Sequence, residues 1–128
     1  MNRSLELRAL VVEADRGLQE LFEVLLKGWS LRFILDPWAE PDPPLGDVDL
    51  LVIDEDYSEG REESPPEWLE SLTQRLPAIV LRTPALPLRT KPSILVLPKP
   101  FPVSRFLAFA NTVRQAKANA VSPPEASA

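Results

Sequence analysis

Short, continuous apolar runs alternate along this chain with segments in which apolar residues recur at helical spacing. Three of the runs lead into charged residues, namely Glu13, Asp54 and, after one proline, Lys99. The three runs cover residues 9–12, 50–53 and 94–97. Runs of this kind are typical of parallel strands that are buried on both faces, and the ligand sites of such sheets lie beyond the carboxyl ends of the strands. We therefore expect the three charged side chains to meet at one edge of a parallel sheet.

The complete pattern predicts five strands and three helices in an α/β arrangement. Strands are expected at residues 9–12, 30–35, 48–53, 77–82 and 94–97. Helices are expected at about residues 15–28, 64–75 and 103–117. Asp15 is a good N-cap for the first helix, and Gly28 offers it a C-terminal stop. Residues 64–67, with the sequence Ser-Pro-Pro-Glu, have the form of a capping box with proline at the first helical position.

Two connections between strands are too rich in proline to hold an ordinary helix. Residues 36–46 contain four prolines, and residues 83–92 contain three. Each proline removes a backbone donor and clashes with the preceding helical turn. A helix in either connection should therefore be lost or reduced to one turn.

Composition limits the class of protein. The 128 residues, of which 45% are hydrophobic, fit one globular domain at residues 1–117, followed by a disordered, proline-bearing tail at residues 118–128. No run approaches the roughly 20 apolar residues of a membrane span, and residues 1–8 are too polar for a signal peptide. We expect a cytoplasmic protein with no membrane partner.

Cysteine and histidine are both absent, which removes thiol chemistry and the commonest general base and leaves hard, oxygen-bound cations as the metals to consider. No pairing of a nucleophile with a base supports an independent enzyme. Nineteen acids against fourteen bases give a net charge of −5, without a basic stripe or a helix-turn-helix pattern. Direct binding to nucleic acid is therefore not expected.

The three charged strand ends suit phosphoryl chemistry. A carboxylate such as Asp54 can attack phosphorus, other carboxylate oxygens can hold Mg²⁺, and a lysine can neutralise the transferred group. With Glu13 after strand 1, Asp54 after strand 3 and Lys99-Pro100 after strand 5, the chain resembles the receiver domain of two-component response regulators from about residue 7 to residue 117. The resemblance implies a five-stranded parallel sheet of order 2-1-3-4-5 in a three-layer sandwich, with the second and fourth helices lost or reduced.

The resemblance also assigns the site residues. Asp54 takes the phosphoacceptor position, and Lys99, in a Lys-Pro pair that is often cis in the family, takes the phosphoryl-binding position. Mg²⁺ would be held by Glu13, Asp54 and the backbone carbonyl of Asp56. Alanine stands at position 14, where typical receivers have a second acid, and Asp15 serves better as a helix cap, so Mg²⁺ should bind weakly or be absent.

The switch positions depart further from the family. Arg82 falls where receivers have threonine or serine, and strand alternation sends its neighbour Thr83 to the opposite face. Val96 falls where many receivers have a rotating aromatic residue, and a β-branched side chain has little freedom to rotate. Arg82 can pair with Asp54, clamp a phosphate or be a surface charge. If both Arg82 and Lys99 approach Asp54, the carboxylate is already neutralised and the site is locked.

The leading hypothesis is a stand-alone receiver that takes a phosphoryl group on Asp54 from a histidine kinase or phosphotransfer protein and signals to a downstream protein partner. Self-catalysed phosphotransfer to Asp54 would be its only enzymatic step. The alternative is a phosphorylation-independent pseudo-receiver that docks or forms a homodimer, for instance through Phe106, Phe109 and Val113 of the last helix. A flavodoxin-like nucleotide or flavin binder is a third class, disfavoured because no glycine-rich phosphate loop follows strand 1.

Overall fold

The computed structural model of the protein describes residues 6–40, 47–58, 63–82 and 93–121. Its strands are β1 (Arg8–Val12), β2 (Ser30–Ile34), β3 (Leu50–Asp54), β4 (Ala78–Leu81) and β5 (Ile94–Leu97). The α-helices of the described residues are α1 (Arg16–Leu25), α2 (Glu67–Arg75) and α3 (Val103–Val121). The strands form one parallel sheet in the order β2-β1-β3-β4-β5. The predicted fold class and strand order are confirmed.

Alternating apolar side chains give the sheet two buried faces. In β1, Ala9 and Val11 belong to one core cluster, and Leu10 and Val12 belong to the other. All five residues of β3 are buried, and the last of them is Asp54. The apolar run of this central strand therefore ends directly at the buried carboxylate of Asp54.

One face of the sheet is covered by α1 and α3. Phe22 of α1 and Phe106 of α3 are fully buried, and their ring centroids lie 5.6 Å apart. Val113 is also buried, and Phe109 packs half-buried against the same core. The suggestion that Phe106, Phe109 and Val113 form a docking or dimerisation surface is therefore wrong, because these side chains are used to attach α3 to the sheet.

The opposite face is covered by α2, whose Leu69 and Leu72 are buried in the second core cluster. Three layers result, as predicted. The connection after β2 contains a short 3-10 turn, Pro37–Ala39, which confirms the reduced second helix for residues 36–40. Residues 41–46 and the proline-rich connection at residues 83–92 lie outside the described residues.

The predicted capping box at residues 64–67 is wrong. Helix α2 begins at Glu67, with Pro66 as its N-cap at φ −58° and ψ 145° and no side-chain cap. A residue that precedes proline is disfavoured in the helical region, so Pro65 cannot start the helix when Pro66 follows it. Ser64 is consequently too far from the helix to cap it, and its carbonyl accepts a hydrogen bond from Trp38 Nε1 at 3.0 Å instead.

The last helix is longer than predicted. Helix α3 continues to Val121, so residues 118–121 are helical and not part of a tail, while residues 122–128 lie outside the described residues. Residues 115–120, with the sequence Gln-Ala-Lys-Ala-Asn-Ala, include three alanines and two further good helix formers, which favour this extension. None of the helices in the described ranges combines the length and the apolar character that crossing a membrane requires.

Candidate functional site

Asp54 and Lys99 form the centre of the candidate site. Asp54 is the last residue of β3, and only 3% of its surface is exposed. Lys99 follows β5 by two residues and donates from Nζ to both carboxylate oxygens of Asp54, each at 2.9 Å. The Lys99-Pro100 peptide bond is cis. Two residues that are 45 positions apart in the chain thus meet because parallel strands end at the same edge of the sheet.

A 3-10 turn at Glu55–Ser58 brings a second acid to the lysine. The backbone N–H of Asp56 donates to Asp54 Oδ1 at 3.0 Å, and the carboxylate of Asp56 accepts from Lys99 Nζ. Burial favours the neutral lysine, but the hydrogen bonds to Asp56 and Asp54 outweigh it and raise the pKa of Lys99. The ammonium therefore remains charged and balances two carboxylates.

Glu13, which follows β1, is buried with 4% of its surface exposed. Its Oε2 accepts from the backbone N–H of Asp15 at 3.0 Å, and its carbonyl accepts from the Gln19 side chain at 2.7 Å. Its Oε1 is buried and accepts no hydrogen bond, so this oxygen has no partner while the acid is ionised. Burial, together with a hydrogen bond to Asp54 that only the protonated acid can donate, raises the pKa of Glu13 to about 8. Below that pH the glutamate therefore holds a proton.

These residues surround an open cavity of about 350 Å³. Its lining comprises Glu13, Ala14, Asp15, Leu18, Asp54, Asp56, Tyr57 and Lys99. No group of three or more acidic, histidine or cysteine side chains among the described residues is arranged as a ready metal site. The unpartnered Oε1 of Glu13 nevertheless suits a hard cation as a ligand, since a buried carboxylate oxygen is stabilised by a proton or by a metal ion. A site with few protein ligands, completed by water, is compatible with Mg²⁺.

The switch residues divide between described and undescribed positions. Arg82 directly follows β4, and its Nε donates to Glu55 Oε1 at 2.6 Å. Thr83 lies outside the described residues. Val96 is half-buried in β5 and is aligned with Val80 of β4. Lys99 supplies one of the two cations that the locked-site hypothesis requires at Asp54, whereas Arg82 Nε is bonded to the neighbouring residue, Glu55, so the lock by two cations stays a prediction.

Several contributors were not anticipated from the sequence. The carboxylate of Glu55 and the side chains of Gln19 and Tyr57 received no role, and only the backbone carbonyl of Asp56 did. The strand register would have identified Glu55 as the partner of Arg82. Asp54 is aligned with Leu81, so the following residues on the two chain segments, Glu55 and Arg82, are neighbours. Nothing in the sequence pattern reveals the 3-10 turn that directs the Asp56 carboxylate back to Lys99.

Comparison with protein-family models and with curated proteins gave no match. Among solved structures, the chain is similar to the signal receiver domain of an HD domain-containing protein from Pseudomonas fluorescens Pf-5, with a TM-score of 0.65, 19% identity and coverage of 89% of this chain and 98% of that one. The non-phosphorylated HemR receiver domain from Leptospira biflexa has a TM-score of 0.64 and 24% identity, with coverage of 85% of this chain and 94% of that one.

A signal receiver domain of two-component signal transduction (histidine kinase) from Clostridium thermocellum gives a TM-score of 0.65 at 17% identity, with coverage of 84% of this chain and 97% of that one. Identities this low establish the fold alone. The chain therefore has the fold of response regulator receiver domains, over nearly the full length of the domains that it matches.

Proposed function

We propose that this protein is a signalling receiver domain of a two-component system and that Asp54 is its phosphoacceptor. The observation that carries the proposal is the contact of Lys99 with both oxygens of a buried carboxylate at the carboxyl end of the central strand. The receiver fold of the solved structures supports it, because this edge of the sheet is where such a fold places ligands.

In the proposed reaction, an oxygen of the Asp54 carboxylate attacks the phosphorus of a phosphohistidine or of a small acyl phosphate. The new oxygen–phosphorus bond makes Asp54 an aspartyl acyl phosphate. The bond from phosphorus to the donor nitrogen or oxygen breaks at the same time, and its electron pair stays on the donor. Lys99 neutralises the phosphoryl oxygens after its ammonium has turned from the carboxylate toward them. The protein thus acts as a phosphoacceptor, with self-catalysed phosphotransfer as its only enzymatic step.

Glu13, Asp54 and the backbone carbonyl of Asp56 are the groups that would hold Mg²⁺. The ion would supply positive charge to the phosphoryl oxygens as negative charge develops on them. The buried carboxylate of Glu13 supports this assignment, because its Oε1 lacks a partner as long as the acid is ionised. A proton and the cation would compete for this carboxylate, so weak Mg²⁺ binding is expected near neutral pH.

A histidine kinase or phosphotransfer protein is the proposed donor, and another protein is the proposed reader of the phosphorylated surface. The second candidate is a pseudo-receiver that acts without phosphorylation, and the presence of Arg82 and Val96 at the switch positions favours it. A nucleotide or flavin binder is not proposed, because no glycine-rich phosphate loop follows β1 and the acids that line the cavity repel phosphate unless a metal ion is bound.

Incubation with acetyl phosphate and Mg²⁺, followed by intact-mass measurement, tests the proposal. Wild-type protein should gain one phosphoryl group, Asp54→Asn should gain none, and the matched control Asp47→Asn, at an exposed aspartate outside the site, should retain the modification. A wild-type mass that does not change, while a receiver of known activity is modified in the same tube, would favour the pseudo-receiver. Equal modification of Asp54→Asn would reject Asp54 as the acceptor.

A further inference from the structure

The ion pair between Arg82 and Glu55 occupies an unusual place in the fold. Its partners come from adjacent strands, since Glu55 directly follows β3 and Arg82 directly follows β4. The Nε to Oε1 distance is 2.6 Å, and the side chains are only 21% and 34% exposed. Ion pairs between fully exposed side chains contribute little to stability, whereas these two side chains are largely shielded from water.

Backbone contacts fix Arg82 beside the phosphoacceptor position. Asp54 is aligned with Leu81 in the parallel register, so Arg82 lies one residue beyond Asp54 on the neighbouring strand. The backbone N–H of Arg82 also donates to the Leu97 carbonyl at 3.0 Å, which attaches the residue to β5, the strand that leads to Lys99. The base of the arginine side chain is thus located between the strand that carries Asp54 and the strand that leads to Lys99.

Phosphorylation would change the charge in front of this arginine. A carboxylate has one negative charge, whereas a phosphoryl group has about 1.5 to 2 negative charges near neutral pH and three acceptor oxygens. The planar guanidinium group can donate two parallel hydrogen bonds to the oxygens of a phosphoryl group, and the larger negative charge strengthens them. A phosphoryl group on Asp54 therefore competes with Glu55 for Arg82.

We propose that Arg82 is a phosphoryl-binding residue that is paired with Glu55 as long as Asp54 is unmodified. Once Asp54 is phosphorylated, Arg82 leaves the Glu55 carboxylate and binds the phosphoryl oxygens. This inference rests on the proposed function, because it requires a phosphoryl group at Asp54. The exchange would replace the threonine or serine contact of ordinary receivers by the breaking of one ion pair and the formation of another.

The exchange would change the charge of a groove on the protein surface. Glu55 lines a groove of about 300 Å³ between α2 and the β4–β5 side of the sheet, together with Tyr57, Leu69 and Glu70. Burial and the nearby charges of Glu55 and Glu70 raise the pKa of Tyr57. When Arg82 leaves, the groove gains an unpaired carboxylate, so a partner that places a cation there would distinguish the two states.

A double-mutant cycle with beryllium fluoride and Mg²⁺ tests the exchange, since this complex imitates an aspartyl phosphate without group transfer. Affinity is measured by fluorescence titration for wild type, Glu55→Gln, Arg82→Gln and the double variant, after circular dichroism has shown that each is folded. Arg82→Gln should weaken binding by about tenfold, and Glu55→Gln should tighten it by several-fold. Glu70→Gln is the matched control, because it removes one charge from the same groove without touching the ion pair.

The pattern across the four proteins decides the outcome. In the Arg82→Gln background, the Glu55→Gln change should lose its effect, and the Nε–H resonance of Arg82 in wild type should shift when the mimic binds. Equal tightening by Glu55→Gln in both backgrounds would show simple charge repulsion and overturn the exchange alone. Absence of binding in all four proteins would reject the phosphoacceptor function and the exchange with it. Binding of the mimic by Glu55→Gln alone would support the exchange, because it would show that the Glu55 carboxylate keeps Arg82 from the mimic in wild type.

Discussion

Replacing Glu13 by glutamine should remove a pH dependence from the stability of this protein. Glu13 is buried, and its pKa is raised from 4.5 to about 8 in the folded chain. Once unfolded, the residue returns to its ordinary value and releases its proton at lower pH. Between these two values the unfolded state binds fewer protons than the folded state, so the free energy of unfolding must fall as pH rises.

The magnitude follows from the two pKa values. Between the two pKa values, the free energy of unfolding falls by about 1.4 kcal/mol for each pH unit. From about pH 5 to about pH 7 the free energy of unfolding should therefore fall by about 2 kcal/mol through Glu13 alone. Glutamine preserves the shape of the side chain, can accept from the Asp15 N–H and can donate to Asp54, but it does not titrate. The variant should consequently lack this loss.

Urea unfolding at both pH values, in the presence of a chelator, measures the effect as a difference between proteins. Stability of Glu13→Gln relative to wild type should increase by about 2 kcal/mol over this range, because the other titrating groups are common to both. Glu23→Gln, which changes an exposed acid of α1, should follow the wild type. Parallel pH profiles for Glu13→Gln and wild type would refute the assignment of a buried, protonated glutamate.

Three further variants test the packing around the site. Lys99→Met leaves the buried carboxylate of Asp54 without this cation and should lower the free energy of unfolding by about 2 kcal/mol in urea. An unchanged unfolding midpoint would contradict the pairing. Lys117→Met removes the 3.0 Å contact with Asp49 that joins α3 to the sheet and should cost about 1 kcal/mol, whereas an equal melting temperature would rule out this contribution. Gly28→Ala should cost about 1 kcal/mol because φ is +93°, while Gly17→Ala, in helix α1, should not destabilise; equal losses would contradict the role of backbone conformation.

The strands and the sheet could be predicted because each strand is a continuous apolar run whose length leaves few alternatives. The five strands lie within a few residues of their predicted limits. Successive prolines give a less certain prediction than apolar runs, as the start of α2 illustrates. A capping box was expected at residues 64–67, but two successive prolines force the chain to remain extended through Pro66.

The candidate site could be predicted only in part. Placement of Asp54, Lys99 and Glu13 at one edge of the sheet follows from parallel strands alone. The partner of Arg82 could not be predicted, because it depends on the exact register between β3 and β4, which places Arg82 beside Glu55. A sequence pattern specifies which residues end a strand but leaves the relative shift of neighbouring strands undetermined by one or two positions.

Chemical trapping of the phosphorylated residue identifies the phosphoacceptor without relying on a mimic or on a variant. Borohydride reduces an aspartyl acyl phosphate to homoserine and leaves unmodified carboxylates unchanged, so peptide mass spectrometry after treatment with acetyl phosphate and Mg²⁺ locates the acceptor. If Asp54 is the phosphoacceptor, homoserine is found at position 54 and is absent when acetyl phosphate is omitted. Homoserine at another acid, or none at position 54 while a known receiver is trapped under the same conditions, would contradict it.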